Sequence, residues 1–195
     1  MKILAFETTD AVASVALYID GEVFETVIET DRRHAESVLP AAEALLNAHG
    51  LQTGDMDAFA ADVGPGSFTG VRIGVCMANA LGTAHQKPVV AVNALEALAL
   101  PYASETVCAL IDARNGNGYG AMYQNGSERI PPCACVVSEF VAALPEGCRT
   151  VGTATDDPKL PSAKAVALIA AGRAGETEVS PLYLKLSQAE RMWQA

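Results

Sequence analysis

The chain has 195 residues, 50% of them hydrophobic, and its 13 basic against 23 acidic residues give a formal net charge of −10. That apolar content supports one large domain or two small lobes and excludes a disordered chain. The acidic balance excludes a protein that grips a nucleic acid backbone unaided, since Arg32–Arg33 and a tail with Lys185 and Arg191 make no groove-binding patch.

The first element is a buried strand over residues 2–7 (KILAFE). Strands at 12–19 and 22–28 follow, joined by Asp20–Gly21, a tight-hairpin pair because both central residues must take positive φ. A helix over 34–48 places Val38, Leu39, Ala42, Leu45 and Leu46 on one face, with Pro40 near its start and Gly50 after its end. A strand at 58–63 leads into GPGSFTGVRIG and a helix reaching about Ala84, and residues 89–92 (VVAV) give another strand. The second half repeats this order in thinner form. Strands are expected at 106–112 and 118–124, the latter closed by Asn125–Gly126. A weak strand through Arg129 and Ile130 is expected to break at Pro131–Pro132, followed by a helix at 138–144, a strand at 149–152 and a helix at 162–174.

Shifting the first hairpin by 105 positions takes Glu7 to Asp112, Ala16 to Ala121, Tyr18 to Tyr123, Asp20 to Asn125 and Gly21 to Gly126. Internal duplication of a βββαβα unit explains this register. It resembles the α/β plan of the actin-like ATPase fold (RNase H-like, of the Hsp70 and sugar-kinase type), here with a reduced second lobe. The division expected is an N-terminal lobe over 1–100, a smaller lobe over 101–185 and a tail over 186–195.

The loops at the strand ends are the first candidate site. Working members of that architecture wrap phosphates with glycine-bearing hairpins between two strand-end acids. Here Glu7 is followed by Thr8 and Thr9, with no glycine, and Asp112 by Ala113 and Arg114. The Gly64–Gly70 stretch lacks the Walker A lysine, since Val71 follows Gly70, and Thr69 stands where a dinucleotide fingerprint needs glycine. Pro65 also removes a backbone donor. What remains is a tight turn and a helix start capped by Ser67 or Thr69, an end that still suits an anion. Glu7, Thr8, Thr9, Gly66, Ser67, Asp112 and Arg114 are therefore expected to form at most a vestigial nucleotide or anion site. Arg114 either contacts a phosphate or pairs with Glu7.

The second candidate is a surface. Gly70, Gly74, Ala78 and Gly82 recur every four residues and make a ridge almost free of side chains. Each glycine inside a helix costs about 1 kcal/mol against alanine, so the ridge implies close approach of another backbone, from the same lobe's sheet or from a partner. The partner or dimer surface expected comprises Leu39, Ala42 and Leu46 of the first helix with Gly70, Val71, Gly74, Val75, Ala78 and Gly82 of the second.

Five cysteines without a Cys-x-x-Cys, Cys133-x-Cys135 being too tight, and three histidines without a helical pair argue for free thiols and no metal. No apolar run reaches the ~18–20 residues of a membrane span, and the start is too short an apolar stretch for a secretion signal. A cytoplasmic protein with no membrane association is expected. Ser14 and Ser67 show no His and Asp partners for a peptidase.

Five segments together, ILAFETTDAVASVAL, RRHAESVLP, DVGPGSFTGVRIGV, IDARNGNGYGAMY and PLYLKLSQAE, resemble the TsaB (YeaZ) family from about Ile3 to Glu190. The resemblance implies a non-catalytic subunit in bacterial synthesis of N6-threonylcarbamoyladenosine at position 37 of tRNA, needing no cofactor of its own. It implies pairing with the catalytic TsaD subunit through N-terminal lobe helices, homodimerisation through the same surface in isolation, and recruitment of the TsaE ATPase. Contact with tRNA is implied only through the complex. Glu7 departs from the aspartate common in the family. A nucleotide-dependent ATPase or kinase of the same fold, and a glycoprotease-like peptidase, are the alternatives.

Overall fold

The computed structural model describes residues 1–29, 34–156 and 158–184, without the side chain of His34. Arg32–Arg33, Lys185, Arg191 and the expected tail over 186–195 lie outside the described residues. Two sheets organise the molecule. The first contains β1 (Lys2–Glu7), β2 (Ala13–Ile19), β3 (Glu22–Ile28), β4 (Ala58–Asp62) and β5 (Val89–Val92), in the order β3-β2-β1-β4-β5. The second contains β6 (Thr106–Asp112), β7 (Asn117–Gln124), β8 (Ser127–Val136) and β9 (Arg149–Val151), in the order β8-β7-β6-β9. In each, the opening hairpins are antiparallel, and the strand across from the first is parallel to it.

Both hairpin turns follow from their sequence. Asp20 and Gly21 take φ of 47° and 106°, and Asn125 and Gly126 take 50° and 71°, the positive values a two-residue turn between right-twisted strands demands. β8 does not break at its prolines. It runs through Pro131 and Pro132 because it is the sheet's edge and its register shifts there: Gly120 faces Cys133, whereas Met122 faces Ile130. The missing N–H groups thus fall in an irregularity.

Helices α1 (His34–Ala48) and α2 (Phe68–His85) cover one face of the first sheet, where Val38, Ala42, Leu46, Val71, Val75 and Ala78 close over Leu4, Phe6, Leu17 and Phe59. Of the other three helices, two cross over to the other half's sheet. α3 (Ala94–Ala99), which periodicity did not suggest, seats Ala94, Leu95 and Leu98 on Val107, Ala109 and Ile111 of the second sheet. α4 (Val137–Ala142) lies on the opposite side of that sheet, with Phe140 over Gly120. α5 (Ala163–Ala170), from the second half of the chain, seats Ala163, Val166, Ala167 and Ala170 on Ile3, Ala5, Ala58 and Ala60 of the first sheet. The chain after α5 also returns to the first sheet: Val89 and Glu176 exchange backbone hydrogen bonds of 2.8 Å, and the Leu182 amide donates to the Val63 carbonyl at 2.7 Å. The two halves of the sequence are therefore laced together by their helices.

Register corrects the alignment of the halves. β1 pairs Glu7 with Ser14, but β6 pairs Ile111 with Tyr119, the residue 105 positions beyond Ser14. The second hairpins match at a shift of 105, while the first strands match at 104, because the chain from Ile111 to its partner Tyr119 is one residue longer than the chain from Glu7 to Ser14. The counterpart of Glu7 is Ile111, not Asp112.

Among the described residues no helix is long and apolar enough to cross a membrane.

Candidate functional site

The strand order turns at β1 and β4, and the carboxyl ends of such neighbouring parallel strands are where open α/β sheets bind ligands. β1 and β4 pair in parallel with Ala5 opposite Ala60 and Phe6 opposite Ala61, so the next step places Glu7 beside Asp62. Alternation puts both on the face of Ala5 and Ala60, the face covered by α5. Glu7 is 1% exposed and Asp62 0%.

The loop after β1 is closed on itself. Glu7 Oε1 accepts hydrogen bonds from the Thr9 amide and the Thr9 hydroxyl, each at 2.6 Å. The Thr8 hydroxyl donates to the Gly70 carbonyl at 2.7 Å and accepts from the Gly74 amide at 3.1 Å. The Thr9 carbonyl accepts from the Ser67 amide at 2.7 Å, and a Cβ on Gly66 would stand 2.6 Å from that same oxygen. Glu7, Thr8, Thr9, Gly66 and Ser67 are thus brought together, but as a clasp between β1 and the start of α2. The Thr8 and Thr9 hydroxyls, candidates for a vestigial nucleotide or anion site, are turned inward.

Ser67 caps α2 as expected, its hydroxyl accepting from the Gly70 amide at 3.3 Å. Thr69 is the second residue of the helix and is not the cap. The Ser67, Gly70 and Val71 amides all donate within the chain, which reduces what this helix end offers an anion. Before it, the Gly64–Pro65 peptide is cis, and Gly64 takes φ of 96° with its amide donating 2.8 Å to Asp62 Oδ1.

Asp112 and Arg114 do not join this clasp. Asp112 is exposed, its amide donates to the Thr153 hydroxyl at 2.9 Å, and its carboxylate accepts the Arg114 amide at 2.9 Å. Arg114, Asn115 and Gly116 all take positive φ, which turns the β6–β7 loop within itself. The one-residue register difference explains the separation, since Glu7 and Asp112 point to opposite faces of equivalent strands.

Asp62 is the residue that pattern reading missed. It reads as the end of an apolar strand, AFAAD; the available signal was an acid directly before a Gly-Pro-Gly turn, beside a strand that also ends in an acid. Burial pushes the Glu7 carboxyl up to about 8, against a lesser opposite pull from its Thr9 hydrogen bonds. Burial, then the neighbouring Glu7 charge, holds the Asp62 carboxyl well above the ordinary range. Asp62 Oδ2 is buried without a hydrogen-bond partner.

The small-residue ridge is occupied by the chain's own first sheet. A Cβ at Gly70 would collide with the Thr8 carbonyl, one at Gly74 would lie 2.7 Å from the Thr8 hydroxyl, and one at Gly82 would lie 3.0 Å from the Lys87 carbonyl. Val71, Val75 and Ala78 are buried in the core with Ala42 and Leu46. The close approach foreseen is real, but it is β1 and β5 that approach. Of the residues expected at a partner surface, Leu39 alone is exposed, at 39%.

The outward side of the same helix is different in kind. Phe68 and Tyr183 are 48% and 49% exposed and stack with ring centroids 5.4 Å apart. The Arg72 guanidinium lies 3.9 Å from the Phe68 centroid and donates to the Tyr183 hydroxyl at 2.9 Å. Cys76 is exposed one turn further along. Among the described residues no group of three or more His, Cys, Asp or Glu is placed to hold a metal ion.

Known proteins are similar to this chain in sequence and overall structure. A family model described as TsaD: tRNA N6-adenosine threonylcarbamoyltransferase matches residues 23–174. The tRNA threonylcarbamoyladenosine biosynthesis protein TsaB of Escherichia coli is 37% identical over 67% of this chain, which spans 58% of that relative's length. The protein of the same name from Bacillus subtilis is 29% identical over 99% of this chain and 98% of its own. The solved structure of YeaZ from Pseudomonas aeruginosa superposes with a TM-score of 0.77 at 30% identity, covering 94% of this chain and 99% of that one. The two sheets with crossed helices are the actin-like ATPase fold, and the chain belongs to the TsaB (YeaZ) family.

Proposed function

We propose that this chain acts in the synthesis of N6-threonylcarbamoyladenosine in tRNA as a non-catalytic subunit that pairs with, and supports, a TsaD-type transferase. The observation that carries the reading is the inward-turned clasp. The Thr8 and Thr9 hydroxyls are spent on Gly70, Gly74 and Glu7, and the Glu7 carboxyl is enclosed. A kinase or ATPase of this fold needs such groups directed at phosphates, so the geometry favours a supporting role over nucleotide chemistry. The names of the matching proteins supply the pathway.

The exposed sides of α1 and α2 are the docking surface in this reading, with Leu39, Phe68 and Arg72 as contacts. They replace the buried ridge as the candidate interface. A TsaE-type ATPase joins the resulting pair, the chain alone forms a homodimer through the same helices, and tRNA is met only through the complex, in the cytoplasm. The test is co-expression with the TsaD homologue of the same organism, size exclusion, and reconstitution of the modified adenosine with and without this chain. Independence of the modification from this chain sinks the proposal. Tight magnesium-ATP binding by the isolated chain in calorimetry favours the enzymatic alternative.

A further inference from the structure

Asp62 and Glu7 end adjacent parallel strands on one face, both enclosed, and among the described residues no cation is placed to neutralise them. The charged groups acting on Glu7 are Asp10 and Glu25, both acidic, and the one acting on Asp62 is Glu7. Among the described residues, the elements packed around them turn no balancing charge toward the pair; Lys164, the cation on α5, is exposed to solvent. α5 presents Ala163, Val166 and Ala167, and β5 ends in Val92 beside Asp62, while α2 lies on the other face with Gly70 and Gly74 against Thr8. Two enclosed carboxylates at neighbouring positions cannot both ionise without a counter-charge. The enclosure, and the lack of a third ligating His, Cys, Asp or Glu among the described residues, fit the smallest such charge.

We propose that Glu7 and Asp62 share a single proton seated on Asp62 Oδ2, and that its release to solvent opens the Gly64–Gly66 turn at the start of α2. The other Asp62 oxygen supplies the mechanical link, because Oδ1 holds the Gly64 amide. On the Glu7 side, Oε1 holds Thr9, whose carbonyl holds Ser67. A pair of bare carboxylates repelling one another strains both tethers at once, and both lead to the same helix end. Such a coupled pair titrates as a unit, not as two independent acids.

The experiment is carboxyl-carbon NMR on the full chain with labelled Asp and Glu, paired with amide exchange of residues 63–71 across pH 5–9. The expected result is one proton retained by the pair at pH 7. Exchange in this segment, corrected for the intrinsic rise with pH, should increase by about tenfold per pH unit as that proton leaves. Asp62→Asn should move the Glu7 titration toward its ordinary range and abolish the excess exchange. If that variant does not fold, Glu7→Gln read at Asp62 serves the same purpose. Two ionised carboxylates at pH 7, or titrations that ignore each other's replacement, overturn the shared proton. Displacement of the proton by millimolar magnesium or manganese overturns it in favour of a cation site. Titration without a change in exchange overturns the link to the turn.

Discussion

Thr8 and Gly70 are locked together: the Thr8 hydroxyl donates to the Gly70 carbonyl at 2.7 Å, and the Thr8 carbonyl fills the space a side chain at position 70 would need. The first strand and the second helix therefore meet backbone to backbone. Glycine at this point serves the lobe's own packing. Gly70→Ala should be the most damaging small substitution in α2, because the blocking atom belongs to the backbone of the residue directly after β1, which its own hydroxyl ties to Gly70 and Gly74. The helix-propensity gain of about 1 kcal/mol is outweighed by overpacking, which costs about 1–3 kcal/mol and more when nothing yields. Chemical denaturation should show a large loss of stability in the isolated chain. A variant that stays as stable as the parent and loses only partner binding would restore the ridge as an interface.

Thr8→Val separates the hydrogen bonds from the shape. The side chain keeps its volume, but the Gly70 carbonyl loses its side-chain donor and the Gly74 amide its Thr8 acceptor. Leaving a buried polar group unsatisfied costs about 1–3 kcal/mol. The midpoint of urea unfolding should fall accordingly, with an unchanged slope. Thr8→Ser, which keeps the hydroxyl, should recover most of the loss. If Val and Ser behave alike, the hydroxyl is not what joins β1 to α2.

Glu7 sets a pH dependence whose sign differs from that of a surface acid. Its folded pKa of about 8 lies above its ordinary value of 4.5, so the folded state, in which Glu7 and Asp62 hold the proton as a pair, binds it more tightly than the unfolded state. The contribution is fully present below about pH 4.5 and is lost as pH rises through about 8. One proton gives a slope of at most about 1.4 kcal/mol per pH unit. Stability should decline between pH 5 and pH 8, and Glu7→Gln should flatten that decline. Equal slopes in the two proteins would show that Glu7 takes no part in retaining the proton.

Which parts of this were legible in the sequence depends on the range of the determining contact. Asp20–Gly21 and Asn125–Gly126 declare their turns because the constraint is local, a positive φ at both positions. The duplicated order of elements was legible for the same reason, each element carrying its own periodicity. The register of β6 was not, since a one-residue difference in loop length leaves every local pattern intact and still turns Asp112 to the opposite face from Glu7. Nor was the crossing of α3 and α5, whose small apolar residues fit either sheet. The ridge shows the limit most sharply. Spacing established that something approaches Gly70, Gly74 and Gly82, but only the three-dimensional path identifies Thr8 and Lys87 as what does.

The docking surface is best tested where substitution cannot disturb the core. Leu39 is exposed on α1, whereas its neighbours Val38 and Ala42 are fully buried. Phe68 projects from the first turn of α2 against Tyr183, with Arg72 over its ring. Leu39→Asp adds a charge to an already acidic chain at a position that needs no desolvation in the monomer, so thermal stability should change by less than about 0.5 kcal/mol. Phe68→Ala should cost the isolated fold somewhat more, through its lost stacking, about 0.5–1.5 kcal/mol. If this side of α1 and α2 carries the partner, each variant should weaken co-purification with the TsaD homologue at least tenfold, because burying an unpaired carboxylate or vacating an aromatic anchor removes well over 1.4 kcal/mol from an interface. The same variants should shift the isolated chain toward monomer in sedimentation. Full retention of both assemblies by the double variant would place the partner on another face, and the exposed aromatic stack would then have to be explained without it.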